Sequence, residues 1–165
     1  MHPVSDLQIE YSLISRGIED GILEPCRSLD IGTAAYGVLS RGLISEHWRP
    51  GPGSNDLRTV SPRFQGENVA HNLSLVDALR KVADRKGARS VQLAIAWVAA
   101  QGIDFVPLVG ARSREQLAEA LGALTFTLDA EDLADIESAV PNGAAAGDRY
   151  ARPLLSELGS EKRPS

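Results

Sequence analysis

The sequence predicts an α/β fold in which helices connect parallel strands. Three short strand-like segments each precede a segment with helical periodicity, and strands joined through helices in this order run parallel. A chain of 165 residues, 43% of them hydrophobic, allows one domain with a real core. Three strands are nevertheless too little sheet for this much helix, because parallel sheets are normally covered on both faces. The sequence therefore indicates a piece of a larger sheet.

The three predicted strands differ in pattern. Residues Leu7–Leu13 alternate apolar and polar side chains, which is typical of a half-buried strand. Thr33–Val38 and Phe105–Val109 are short apolar runs and predict buried strands. Pro107 has no amide hydrogen to donate, so we expect the third strand to bend or to pair incompletely there.

Two helices are predicted before residue 90. Apolar residues recur at helical spacing in Ile18–Leu29, although Pro25 interrupts that pattern. The glycine- and proline-rich segment 40–66 that comes later is long enough to be a functional loop or a mobile one. The second helix ends near Gly87, a typical terminator. Its apolar stripe consists of Leu75, Val76, Leu79, Val82 and Ala83.

Two further helices are predicted from residues that can cap their amino-terminal ends. Ser90 is a candidate N-cap for Val91–Val98, which is apolar nearly all round and must be buried on several sides. Asp129 begins a final amphipathic helix. After Pro141 the chain is rich in glycine, alanine and charge, and we expect it to be loosely ordered. The apolar positions of the final helix are Leu133, Ile136 and Val140.

One more helix is predicted between these two. Ser113–Gln116 has the capping-box pattern, in which the first and last residues satisfy free amides at a helix start. This helix is expected to point Leu117 and Leu121 inward and to end near Gly122.

Composition restricts the classes of partner and compartment. The net charge of −5 argues against a nucleic-acid binder, which needs a basic surface. No apolar run approaches the roughly 20 residues that span a bilayer, and the amino terminus lacks the pattern of a secretory signal. Cys26 is the only cysteine, so no internal disulfide is expected and a reducing compartment is the default. We therefore expect a cytoplasmic protein that binds neither nucleic acid nor membrane.

Two glycine-containing turns are candidates for a phosphate site. Residues 36–42 follow the second strand and residues 110–113 follow the third, so both turns lie at the same edge of a parallel sheet. Backbone amides and a helix start at that edge favour anions, and barrel folds commonly bind phosphate after their last two strands. Arg41 and Arg112 add two cations that suit bidentate contacts. Similar turns occur in most α/β proteins, so this pattern is weak evidence by itself.

A specific resemblance runs in order along the chain from about Pro3 to Tyr150. Gln8–Leu13 and Ala35–Gly42 resemble the sixth and seventh strands of the aldo-keto reductases. The segments that resemble the following loops, helices, last strand and tail are Ser61–Phe64 with Asn68, Gln92–Val98, Pro107–Leu117 and Gly147–Tyr150. The resemblance implies that residues 1–150 are the last three strands, with their helices, of a (β/α)8 TIM barrel. Residues 151–165 are then expected to be a loosely ordered tail.

The resemblance also implies NADP as the cofactor. Gln8 matches the residue that hydrogen-bonds the nicotinamide carboxamide, and Tyr36 matches the aromatic residue that stacks under the nicotinamide. The loop that wraps the pyrophosphate matches Gly37, Leu39, Ser40, Arg41 and Gly42.

At the adenosine end, Arg112 would favour NADP over NAD by pairing with the 2′-phosphate. Gly110 and Ala111 match the rest of that turn, and Gln116 and Glu119 match residues that reach the adenosine. The family usually has asparagine where this chain has Ala120, which puts adenine recognition in doubt.

The family reduces aldehydes and ketones with a tyrosine acid, a lysine, an aspartate and a histidine, all on earlier strands than those found here. Three hypotheses therefore remain open. The chain is a truncated reductase that is inactive alone, one half of an enzyme completed by an amino-terminal half or by a second copy, or a non-enzymatic dinucleotide-binding module. A small carbonyl compound is the expected substrate of the complete site.

Overall fold

The described residues form a three-stranded sheet with five α-helices. The computed structural model describes residues 2–45 and 56–151. The strands are β1 (Asp6–Glu10), β2 (Gly32–Tyr36) and β3 (Phe105–Pro107). The helices are α1 (Leu23–Ser28), α2 (Gly66–Arg85), α3 (Ser90–Ala99), α4 (Arg114–Leu121) and α5 (Ala130–Ala139). Short 3₁₀ turns cover Ser40–Gly42, Leu57–Thr59, Pro62–Phe64 and Gly122–Thr125.

The sheet has the order β1-β2-β3, and both pairings are parallel. β3 pairs with β2 over Phe105–Pro107 only. The amide of Leu108 then donates one further hydrogen bond to the Ala35 carbonyl at 2.8 Å. The strand is therefore shorter than the predicted Phe105–Val109. The incomplete pairing expected at the proline is confirmed, because a proline has no amide hydrogen for the ladder.

β1 ends three residues before the predicted Leu13. The alternation of apolar and polar residues continues past Glu10, but the chain there folds back into the core instead of extending the ladder. Tyr11 is fully buried, and Ser12 and Ser15 exchange two backbone hydrogen bonds of 3.1 and 3.0 Å. A local turn thus replaces the last part of the predicted strand.

Helices cover one face of the sheet and leave the other face open. Thr33, Ala35 and Phe105 lie on the covered face and are at most 6% exposed, with α3 packed on β3. On the opposite face Gln8 is exposed and Val106 is 58% exposed. No described residue pairs with the outer edge of β1 or of β3. This one-sided sheet with two open edges agrees with the expected piece of a larger sheet.

Helix α3 forms the centre of the core, as its apolar sequence predicted. Leu93 and Val98 are fully buried, and Trp97 is 3% exposed. The Trp97 ring lies 5.2 Å from the ring of Tyr11. Ser90 is not the N-cap, because the helix begins at Ser90 itself and the preceding residue, Arg89, takes the cap position. The Arg89 amide is satisfied by the side chain of Gln92 at 2.9 Å.

Helix α4 begins as predicted, but its leucines do not point inward. The Ser113 hydroxyl accepts a hydrogen bond from the Gln116 amide at 3.2 Å, which confirms the cap. Leu117 and Leu121 are 50% and 53% exposed, so their predicted burial is wrong. The helix packs through a neighbouring face, where Ala120 contacts the core. Periodicity identified an apolar stripe, but no described element covers it.

The first helix is shorter than Ile18–Leu29 and begins at Leu23. Pro25 lies in its first turn, where no intrahelical amide bond is lost. At the other end of the chain, α5 runs from the Asp129 cap as predicted, and that side chain accepts a bond from the Asp132 amide at 2.9 Å.

The segment 141–151 is packed against α2 rather than loosely ordered. Asn72 is fully buried and exchanges hydrogen bonds of 2.9 and 2.8 Å with the backbone of Ala146. Arg149 is only 6% exposed. Buried polar contacts therefore order a segment whose composition suggested otherwise. The rest of the predicted tail, 152–165, lies outside the described residues. Within the described part, no helix is both long enough and apolar enough to span a bilayer.

Candidate functional site

A pocket of about 610 Å³ lies at the carboxyl ends of β2 and β3. The loop 37–42 after β2 and the turn 108–112 after β3 form two of its walls, and α4 forms a third. Eight of the twelve predicted site residues line it: Gly37, Leu39, Arg41, Gly42, Gly110, Arg112, Gln116 and Glu119. The two glycine turns that the sequence placed at one sheet edge therefore face the same cavity.

The loop 37–42 has an unusual backbone that buried contacts hold in place. Ser40 and Arg41 have φ values of 50° and 56°, in the left-handed region that costs a residue other than glycine roughly 1–2 kcal/mol. Ser40 does not line the pocket. It is buried behind the loop, where its hydroxyl lies 3.0 Å from that of Ser12 and its amide donates to the Gly37 carbonyl at 2.7 Å. Such strain is typical of functional loops.

Gly37 cannot be replaced by a larger residue without displacing its neighbours. Its φ of +71° favours glycine, and an added Cβ would lie 2.8 Å from Cγ of Glu10. Glu10 is the last residue of β1 and is only 5% exposed. The first residue of the loop is thus packed directly on a buried carboxylate.

Three arginines line the pocket, and two of them were predicted from the sequence. Besides Arg41 and Arg112, Arg58 reaches it from the loop after residue 55. Its guanidinium pairs with Asp56 at 2.7 Å and donates to the Arg41 carbonyl at 3.3 Å. The Arg58 hydrogen bond holds the pKa of the Asp56 carboxyl below its usual value. Arg58 was missed because its loop shows neither periodicity nor a motif.

The turn at the start of α4 is fixed by its own side chains. The Gln116 carboxamide oxygen accepts a hydrogen bond from the Arg112 amide at 2.8 Å. The predicted capping box would instead have paired this side chain with the Ser113 amide. The Arg112 guanidinium is exposed and makes no ion pair with any described residue. Glu119 pairs with Arg89 at 2.7 Å, which offsets its negative charge at the pocket. The remaining predicted residue of this turn, Ala111, is exposed and does not line the cavity.

The two residues predicted for the nicotinamide end, Gln8 and Tyr36, lie outside this pocket. Gln8 is exposed on the open face of the sheet, and Tyr36 is half-buried at the end of β2. Burial, a hydrogen bond with Tyr150 and the negative charge of Glu10, in that order, raise the pKa of Tyr36. The Tyr150 hydroxyl in turn donates to Glu10 at 3.3 Å.

Glu10 is the centre of a buried polar cluster that sequence reasoning did not identify. It accepts a hydrogen bond from the Ser15 hydroxyl at 3.0 Å and pairs with Arg149 at 3.7 Å. Both members of this ion pair are at most 6% exposed. In the sequence Glu10 resembles an ordinary surface glutamate. Its burial among polar partners, which only the three-dimensional structure shows, distinguishes it.

The described residues that line the pocket include no tyrosine, lysine or histidine. Tyr11 is fully buried and does not line the pocket. Its hydroxyl donates a hydrogen bond to Glu19 at 2.5 Å, and burial raises its pKa above the usual value. No group of three His, Cys, Asp or Glu side chains in the described part of the chain is placed to hold a metal ion. The cations among the described lining residues are Arg41, Arg58 and Arg112.

The family model named aldo/keto reductase family matches residues 2–141. The chain belongs to the aldo-keto reductase family. The probable aldo-keto reductase 1 of Glycine max is 38% identical over 160 residues, and the match covers 93% of this chain but 45% of that relative. The resemblance read from the sequence is thereby confirmed.

Solved structures agree with the sequence match. The glycerol dehydrogenase from Gluconobacter oxydans is similar with a TM-score of 0.80 at 25% identity, over 92% of this chain and 46% of its own. An aldo-keto reductase from Klebsiella pneumoniae, solved in complex with NADPH, has a TM-score of 0.57 at 23% identity, over 83% of this chain and 39% of its own. The second likeness shows the fold alone.

This aldo-keto reductase chain spans about half the length of the relatives that it matches. Its three parallel strands and their helices form part of the (β/α)8 barrel, as predicted. The open sheet face and the two open edges lie where the remaining strands of a barrel would complete the structure.

Proposed function

We propose that this chain carries the NADP-binding part of an aldo-keto reductase. The observation that supports this best is the single pocket into which two glycine turns, the start of α4 and three arginines converge. Helix starts and glycine turns offer backbone amides to phosphate, and arginines bind it through paired N–H groups. In the complete enzyme, NADPH supplies the hydride that reduces an aldehyde or ketone carbon.

Each part of the pocket fits one part of the dinucleotide. The loop Gly37–Gly42, with Arg41, would hold the pyrophosphate, and Arg58 adds a second cation beside it. Arg112, exposed and without an acidic partner in the described part of the chain, would pair with the 2′-phosphate. Gln116 and Glu119 would lie along the adenosine. Since Ala120 lines the same wall, adenine recognition there would rely on packing.

The nicotinamide end is proposed to lie beside Gln8 and Tyr36, at the open face of the sheet. Gln8 is exposed, so its carboxamide can bond a ligand, and Tyr36 ends β2 next to the loop that would hold the phosphates. These residues orient the ring that carries the hydride. They do not supply a proton to the carbonyl oxygen.

The proton donor is proposed to come from an amino-terminal half of the barrel. A positioned acid typically contributes on the order of 10²–10⁴-fold to such a reaction, and the resemblance places the family's tyrosine acid on strands earlier than the three described here. We therefore propose that the 165-residue chain alone binds NADPH without reducing carbonyl compounds. Its cellular partner would be the complementary half or a second copy, in the cytoplasm. A dinucleotide-binding module is the alternative, favoured by a pocket with three arginines whose described lining includes no tyrosine, lysine or histidine.

Cofactor preference tests this proposal. Charge-assisted phosphate contacts are worth on the order of 1.5–3 kcal/mol, so NADPH should bind about tenfold or more tightly than NADH in isothermal titration calorimetry. Arg112→Glu should remove that preference. Arg114→Glu is the matched control, because it makes the same charge change two residues away on α4 and does not line the pocket. Equal affinity for the two cofactors in the unmodified chain would contradict the proposal.

A further inference from the structure

We propose that Tyr150 is a positioning residue for the dinucleotide phosphates, acting through Arg41. This inference rests on the proposed NADP site. It concerns a residue of the carboxyl-terminal segment that is separated in sequence from both glycine turns and does not line the pocket. Its ring stacks against the guanidinium of Arg41, which lines the pocket and would bind a phosphate.

The contact with Arg41 is the first observation. The guanidinium carbon of Arg41 lies 4.5 Å from the centre of the Tyr150 ring, a distance at which the negative ring face attracts a cation. Arg41 makes no ion pair with any described residue, so the ring takes the place that a carboxylate often has. A stacked guanidinium keeps its N–H edges available for a phosphate, whereas a carboxylate partner would occupy them.

The hydroxyl of Tyr150 anchors the far end of the ring. It donates to the buried carboxylate of Glu10 at 3.3 Å and is hydrogen-bonded to Tyr36. Arg149 lies 4.9 Å from the same ring centre and pairs with Glu10. The hydroxyl contacts at its far end and the Arg149 guanidinium beside it keep the ring next to Arg41.

Packing and hydrogen bonds of the segment before Tyr150 hold its ring beside Arg41. The Gly147 carbonyl accepts a bond from Arg63 at 3.4 Å, and the Arg149 carbonyl accepts one from Ser61, also at 3.4 Å. Gly147 has a φ of +80°, and an added Cβ would lie 2.7 Å from Asn68. The left-handed glycine and the close packing together direct the chain across the end of the sheet.

The strained backbone of Arg41 makes this support important. With φ at 56°, the residue occupies a conformation that does not persist unless its surroundings hold it. The turn that contains it is closed by local hydrogen bonds such as Gly42 to Leu39 at 2.9 Å. Beyond the backbone, the ring contact is what locates the guanidinium. Loss of the ring should therefore weaken phosphate binding without opening the pocket.

A double-mutant cycle with NADP⁺ as the titrant tests the inference. Calorimetry on the whole chain would compare Tyr150→Leu, Tyr150→Phe, Arg41→Ala and the Tyr150→Leu/Arg41→Ala pair. Loss of a partly exposed cation–π contact should weaken binding about fivefold in Tyr150→Leu. Tyr150→Phe retains the ring and should lose less. His71→Ala is the control, because it removes a 2.8 Å contact to Ala144 in the same segment without touching Arg41. Circular dichroism checks that each variant is folded.

The cycle separates a positioning role from a packing role. If Tyr150 acts through Arg41, Tyr150→Leu should have less than about a twofold effect in the Arg41→Ala background, because coupled residues are not additive. The same loss in both backgrounds, or a loss no larger than that of His71→Ala, would overturn the inference while leaving the NADP site intact. Absence of NADP⁺ binding by the unmodified chain would instead refute the proposed function, and this inference with it.

Discussion

Ser40 and Arg41 concentrate backbone strain in the loop that is proposed to hold phosphate. Two consecutive non-glycine residues with positive φ cost roughly 1–2 kcal/mol each, and the flanking Gly37 and Gly42 adopt the same region without that cost. The buried Ser12–Ser40 contact of 3.0 Å and the packing of Gly37 on Glu10 stabilise the loop. Its shape is therefore set by residues of β1 and the turn after it, which do not line the pocket.

Replacing Gly37 by alanine should destabilise the protein through two separate causes. The left-handed backbone alone should lower the free energy of unfolding by about 1–2 kcal/mol, and the contact with Glu10 should add about 1–3 kcal/mol. Gly143→Ala is the matched control, because its φ is +77° and an added Cβ would have nothing within 4 Å. Urea denaturation measures both variants. Equal losses would show that the Glu10 contact does not matter.

For the helices and strands, caps and apolar faces could be predicted from the sequence, but the elements that pack against them could not. The Asp129 cap and the apolar stripe of α2 were predicted because a cap or a periodic face depends on residues close in sequence. The leucines of α4 were misplaced because periodicity identifies a face without identifying what covers it. The ordered segment 141–151 was missed because Asn72, 74 positions from Ala146, holds it.

In the candidate site, too, residues that match a motif were predicted and contacts between distant parts of the chain were not. Resemblance to the family supplied twelve residues, of which eight line one pocket. Arg58 and the Glu10–Arg149 pair were not predicted, since loop contacts and burial are tertiary properties. The roles of all twelve residues toward a cofactor stay predictions, and Gln8 and Tyr36 lie outside the pocket.

The exposed stripe on α4 leads to a stability prediction for the chain as a monomer. Leu121→Ala removes a side chain that is 53% exposed, so it should change the free energy of unfolding by less than about 0.5 kcal/mol. Leu93→Ala, in the fully buried part of α3, should cost about 2–5 kcal/mol. Chemical denaturation at low protein concentration compares the two. A large loss in Leu121→Ala would mean that another surface covers α4 in solution.

For the whole molecule, the open face and edges of the sheet predict self-association or pairing with a complementary half. Unpaired strands offer rows of free amides and carbonyls to another chain, and two copies would most simply form a symmetric dimer. Light scattering after size exclusion should give a mass above 17.6 kDa at micromolar concentration. A monomer with slow amide exchange at the outer edges of β1 and β3 would contradict this expectation.

The central proposal is that these residues bind NADPH but do not include the acid that protonates the carbonyl oxygen as hydride reduces the carbon. Loss of the nicotinamide absorbance, followed with saturating NADPH and a reactive aldehyde, tests it most directly. The purified chain should show no aldehyde-dependent loss, while calorimetry on the same sample shows NADPH bound. Adding a separately expressed amino-terminal half that carries the tyrosine acid should restore turnover if the halves dock. Aldehyde-dependent oxidation by the isolated chain that disappears in Tyr36→Ala would contradict the claim, because it would place the whole active site within these residues.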